Sequence, residues 1–133
     1  MLNRIPFKFA IKTVLILLLL VFAFHLLVLT ELIPYTIVWG GKFQNITQMR
    51  RFELVSVIIN PFMICVLAIK GNYISVNIPV RVINIILWLF VVLFALNTIG
   101  NLFAATLTET LVFTPLTFIS ALLCFRIVME RIK

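Results

Sequence analysis

TVLILLLLVFAFHLLVLTELI, residues 13–33, decides the class of this chain. It carries no charge before Glu31, and its length matches the roughly 20 residues a helix needs to cross a hydrocarbon layer. Three further apolar runs follow: Phe52–Ile69, with Glu53, Ser56 and Asn60; Val82–Ala104, with Asn84, Asn97, Thr98 and Asn101; and Leu107–Met129, with Pro115 and Arg126. Inside lipid every backbone N–H and C=O must find its partner within the protein, so a spanning segment defaults to helix. The runs are too long and too continuous for barrel strands, which alternate over about ten residues. The expected fold is therefore all-α: one domain over residues 1–133, a four-helix transmembrane bundle spanning 13–33, 52–69, 82–104 and 107–129.

Composition leads to the same place. Of 133 residues, 64% are hydrophobic and 11% are charged, against about 45–50% and 25% in soluble domains. A water-soluble chain this small would need far more polar surface. That excludes a soluble enzyme, a disordered chain and an ordinary nucleic-acid binder. The net charge of +7 suits lipid headgroups and cytoplasmic loops, because the basic residues sit between the apolar runs. Asp is absent, which removes the usual hard-cation clusters. Cys65 and Cys124 lie in apolar runs with no Cys-x-x-Cys, and read as buried thiols that pack as small hydrophobes.

The first run starts after Arg4, Lys8 and Lys12, as a signal peptide would. Its apolar stretch is longer than the usual 7–15 residues and no small-residue cleavage site follows, so it reads as an uncleaved span. Eight basic residues (Arg4, Lys8, Lys12, Lys70, Arg81, Arg126, Arg131 and Lys133) fall on one side, and three (Lys42, Arg50 and Arg51) on the other. The positive-inside rule then places both termini in the cytoplasm. Loop residues agree with these cuts. Pro34 ends the first helix, Gly40-Gly41 permits a sharp turn beside the interfacial anchor Trp39, and Gly71-Asn72 closes the second helix. Thr106-Leu107-Thr108-Glu109 has capping-box form, so a tight turn at Ala105–Thr106 is expected.

Candidate ligand-binding residues gather at the outer ends of the spans: Glu31, Arg50, Arg51, Glu53 and Glu109. Arg50 and Arg51 fall in the first turns of the second helix, where the helix terminus is already positive. Glu31, Glu53, Glu109, a lipid phosphate or an anionic ligand would compensate them. Deeper lie His25, Asn60, Asn97 and Thr114, one per span, each about 10–13 Å below its helix end at 1.5 Å per residue. Polar groups facing lipid are costly, so these four are expected to turn inward and bond one another, as helix–helix glue or as a polar chamber. A proton relay through His25 is the alternative, since imidazole is the side chain that changes charge near neutral pH. One His does not make a metal site, and no cofactor is expected. Asn97, Gly100, Asn101 and Ala104 share one helix face whose small residues allow close approach, within the bundle or to a second protomer. Glu53, Ser56 and Asn60 share another, and Pro61 is expected to kink that helix. The Asn45-Ile46-Thr47 glycosylation triplet carries little weight. No Walker loop, G-x-S-x-G, H-E-x-x-H or mid-membrane carboxylate pair is present, so no catalytic nucleophile is identified.

Val38-Trp39-Gly40-Gly41-Lys42, Arg51-Phe52-Glu53, Leu96-Asn97-Thr98-Ile99-Gly100-Asn101 and Phe113-Thr114-Pro115-Leu116-Thr117 resemble a group of small four-span bacterial membrane proteins without assigned activity. The resemblance covers most of the chain and implies a bacterial inner membrane, but no catalysis. Small multidrug transporters also have four spans but carry a glutamate deep in the first, where Glu31 is at a helix end. Fluoride channels carry small-residue motifs that are missing here. The leading expectation is a non-enzymatic membrane protein. It would bind or pass a small or lipidic ligand at the outer face, or serve as a partner subunit. Arg50 and Arg51 would hold an anionic group, Glu31 and Glu53 would orient them, and Asn97 and Asn101 would supply neutral hydrogen bonds. A proton-coupled transporter using His25 comes second and a membrane enzyme third. Expected partners are membrane lipids, the ligand, and a second copy or another membrane protein, but no nucleic acid.

Overall fold

The computed structural model describes residues 1–104 and 106–130. Ala105, in the expected turn, and Arg131 and Lys133, counted for orientation, lie outside the described residues. The chain forms helices α1 (Phe7–Leu29), α2 (Ile46–Lys70), α3 (Val80–Leu102) and α4 (Thr114–Val128), the last preceded by a π-helical turn over Glu109–Phe113. With that turn included, all four are long and apolar enough to cross a membrane. No strand occurs among the described residues. This is the architecture of an integral membrane protein.

The packing is inside-out relative to a water-soluble bundle. Ile16, Leu20, Ile58, Leu89 and Leu96 are exposed, while Glu53, Ser56, Asn60, Lys70, Thr117, Ser120 and Arg126 are buried. In hydrocarbon an outward leucine costs nothing, and a polar side chain gains by turning toward other helices. α1 lies against both α2 and α4, α3 lies against α4, and α2 touches α3 more sparsely. The apolar core runs through Ile11, Val14, Leu18, Leu67, Leu87, Phe90 and Cys124. Cys65 faces outward and only Cys124 is buried, which corrects half of the expectation for the thiols.

Helix ends follow local chemistry. α1 begins six residues before its apolar run, after Pro6, so Lys8 and Lys12 lie in its first turns. It stops at Leu29, ahead of Pro34. Thr30 caps it by donating its hydroxyl to the carbonyls of Leu26 and Leu27. Glu31 then adopts φ +67°, a left-handed conformation rare outside glycine. The Asn45 side chain accepts from the Gln48 N–H at 2.9 Å and caps α2. Within α2, Pro61 cannot donate to the Val57 carbonyl, and Asn60 Nδ2 donates to the neighbouring Ser56 carbonyl at 2.9 Å. The π turn before α4 has a similar origin. In a regular helix the Pro115 ring would strike the Leu111 carbonyl, and a wider turn relieves that clash.

α2 ends in a Schellman arrangement: the N–H of Asn72 donates to Ile69 O at 3.1 Å and that of Tyr73 to Ala68 O at 2.9 Å. Asn72 is the left-handed residue, at φ +63°. Gly71 is needed for room. A Cβ there would come within 3.0 Å of Ile11 Cγ2 and of the Tyr73 ring, pushing α1 away. Gly71→Ala should destabilise the bundle by about 1–3 kcal/mol, while Asn72→Gly should be neutral or stabilising. Thermal unfolding of both variants in detergent checks this, and an unchanged Gly71→Ala protein would contradict the close approach.

Candidate functional site

The sequence-derived residues divide once the helices are in place. Glu53, on the first turns of α2, is completely buried. Its Oε2 lies 2.7 Å from His25 Nδ1 of α1, and its Oε1 accepts from Trp39 Nε1 at 2.7 Å. One carboxylate thus ties α1, α2 and the connecting loop together. Glu53 does not orient the arginines, as was expected. Its carboxylate is engaged by His25 and Trp39, and Arg50 and Arg51, one turn nearer the helix start, are exposed. Glu31 does pair with Arg50, at 3.0 Å, in an exposed ion pair of the kind that contributes little to stability. Arg51 has no ion-pair partner among the described residues. It borders a concavity of about 570 Å³ with Gln44, Asn45, Thr47, Gln48 and Phe52.

The expected deep polar level does not form. α1 ends at Leu29, so His25 is about 6 Å inside the helix end at 1.5 Å per residue and meets Glu53. Asn60 bonds its own helix. Asn97 is exposed, because the inward face of α3 runs through Leu87, Phe90 and Phe94 and continues to Thr98 and Asn101. Thr98 donates to the Phe94 carbonyl and meets the Thr117 hydroxyl at 3.0 Å, and Asn101 Nδ2 reaches Thr117 Oγ1 at 3.5 Å. Asn101 thus reaches α4, and Asn97, one turn earlier, faces outward. Gly100 has nothing within 4 Å of its Cβ direction, so that part of the small-residue face does not pack inside the bundle. Thr114 Oγ1 is buried without a partner among the described residues. Glu109 is buried; its N–H reaches Thr106 Oγ1 at 3.4 Å, the first bond of a capping box, while its carboxylate accepts from the Thr106 hydroxyl at 2.8 Å where the box would use the Thr106 backbone N–H.

Above Glu53 the α1–α2 loop folds into a cap. Short 3₁₀ turns at Tyr35–Ile37 and Trp39–Gly41 bring the Trp39 ring to 5.9 Å from Phe43 and 5.5 Å from Phe52, with Phe43 and Phe52 5.4 Å apart. Val28, Val38 and Met49 form a small apolar core beneath, with Phe24, Ile33 and Ile46 around it. Trp39 has φ +52°, a strained conformation that persists only where its surroundings fix it. Gly41, at φ +68°, brings its Cβ position within 3.2 Å of the Thr36 carbonyl.

Chemically, the pair can hold one proton and pass it along. Nδ1 and Oε2 at 2.7 Å share a hydrogen bond whichever of them carries the proton. The His25 side chain is 15% exposed and that of Glu53 is 0%, so imidazole is the way in. The sequence reading missed Trp39 as a hydrogen-bond donor and placed His25 too deep. Counted from the true helix ends at 1.5 Å per residue, His25 is about 6 Å and Glu53 about 10.5 Å inside, less than one helical turn apart. Trp39→Phe would keep the ring stack and strand Glu53 Oε1, at an expected cost of about 1–3 kcal/mol. A chemical-unfolding comparison with Trp88→Phe, which alters the other tryptophan, tests it; equal losses would remove the bond's significance.

No protein-family model matches the chain, and neither a curated protein nor a solved structure shows significant similarity to it.

Proposed function

We propose that this chain is a non-enzymatic membrane protein that binds a small or lipidic ligand at the Trp39 end, with the proton shared by His25 and Glu53 controlling the cap. The carrying observation is the fully buried Glu53 carboxylate, held by His25 and Trp39 at 2.7 Å each. Ionisable groups within a membrane are expensive, and their usual reason for being there is function. A change of charge on the pair alters what Trp39 donates to, and so loosens or fixes the cap. Arg50, Glu31 and Arg51 ring the outer edge, which favours an anionic ligand group. The basic-residue asymmetry supports placing this end outside the cytoplasm, and the resemblance to small four-span bacterial proteins supports an inner-membrane location.

Tryptophan emission tests the link between the pair and the cap. In a Trp88→Phe background only Trp39 remains, and Glu53→Gln and His25→Ala should each shift its emission. Unchanged emission in both variants would overturn the reading. The anionic preference has a separate test. Arg51→Ala should lower retention of an anionic phospholipid at this end about fivefold while the fold survives, read by spin-label or photo-crosslink attachment near Gln48. Equal labelling removes it.

A further inference from the structure

At the opposite end of the bundle, α2 finishes on a lysine that is inside the protein. Lys70 is 3% exposed, and its Nζ donates to Asn84 Oδ1 of α3 at 2.7 Å. An ammonium has three N–H groups to place. The carbonyls that a helix end would offer it are engaged: Leu67 O accepts from Gly71, Ala68 O from Tyr73, and Ile69 O from Asn72. No carboxylate stands within ion-pair distance of it among the described residues. The acid at this end, Glu130, is held by Arg126 Nη1 at 2.6 Å. Arg126 is itself committed through Nε to the Ile5 carbonyl at 3.0 Å. The Glu130 charge acts on Lys70 only through space, and the one hydrogen-bond partner of this buried cation among the described residues is a neutral amide, an expensive arrangement.

The same lysine walls a concavity of about 370 Å³ between the end of α2 and the start of α3. Asn72, Ser75 and Asn77 line it on the connecting segment, and Val80 closes it. α3 starts after Pro79 with no side-chain cap. Its partial positive charge and the exposed Arg81 therefore lie at the same end. A buried ammonium, amide and hydroxyl donors and an uncapped helix start converge on one space.

We propose that this concavity binds a phosphate-type oxyanion, with Lys70 as its anchoring cation and Asn84 fixing the direction of the ammonium. The oxyanion is the phosphodiester of a membrane phospholipid or a free phosphate ion; both present the same oxygens. This site is separate from the Glu53 pair and stands or falls without it.

The full chain in detergent is incubated with dioleoylphosphatidylglycerol and weighed by native mass spectrometry, with dioleoylphosphatidylcholine as the zwitterionic control. In parallel, inorganic phosphate is titrated and followed by phosphorus NMR line broadening. Lys70→Met should lose about tenfold in phosphatidylglycerol retention, in phosphate broadening, or in both, and Lys70→Arg should recover most of it. Loss in the lipid arm alone identifies the headgroup, and loss in the phosphate arm alone identifies the free ion. Equal behaviour of wild type and Lys70→Met in both arms overturns the proposal. Should Lys70→Met fail to fold, hydrogen exchange of the wild type decides. Residues 72–80 should be protected by phosphatidylglycerol or by phosphate, and protection by neither overturns it.

Discussion

Hydrocarbon offers a carboxylate no hydrogen bonds, so the protein must supply every one that Glu53 receives. It does so from two directions: an imidazole from the preceding helix and an indole from the loop between them. That demand organises the whole end of the molecule. The loop must return over α2 to bring Trp39 within reach, which explains its two 3₁₀ turns, the left-handed Trp39 and the glycine at position 41. The aromatic rings of Phe43 and Phe52 then close over the indole and keep water and lipid away from the acid.

The two ends of the bundle treat charge differently. At the Trp39 end the exposed Arg50–Glu31 pair lies outside two buried acids, Glu53 and Glu109. At the other end the buried groups are cations, Lys70 and Arg126. Arg126 bonds a backbone carbonyl and Glu130, whereas Lys70 bonds one amide among the described residues and feels Glu130 only through space. A guanidinium spreads its charge over five donors in a planar fork and tolerates such burial better than an ammonium, which is a compact charge. The difference between the two residues is thus one of chemistry as well as of neighbours.

The existence of four helices was legible from length and hydropathy, because the solvent leaves a spanning chain no other choice. Thr106 and the Gly71-Asn72 pair marked helix ends through capping, which acts over a few residues and can be read locally; Asn45, read only as part of a glycosylation triplet, is a cap as well. Rotation of the helices was not legible. A run such as Val82–Ala104 is apolar all round, so it has no stripe to say that Thr98 faces α4 and Asn97 does not. Depth was misjudged for His25 because the apolar pattern continues through Leu32 and Ile33 after the helix has stopped at Leu29. Of the candidate site, Glu31 was one of several anions expected to compensate the two arginines, and it meets Arg50. The His25–Glu53–Trp39 contact depends on residues 28 and 14 positions apart, and no spacing rule connects those.

Cys65 sits on the outward side of α2, whereas Cys124 is enclosed. The molecule therefore carries one native thiol on its outward-facing surface. A membrane-permeant maleimide or a nitroxide would attach there without mutagenesis and report the immersion depth of α2. From that one ruler the leaflet that each end of α2 occupies becomes measurable in the unaltered protein.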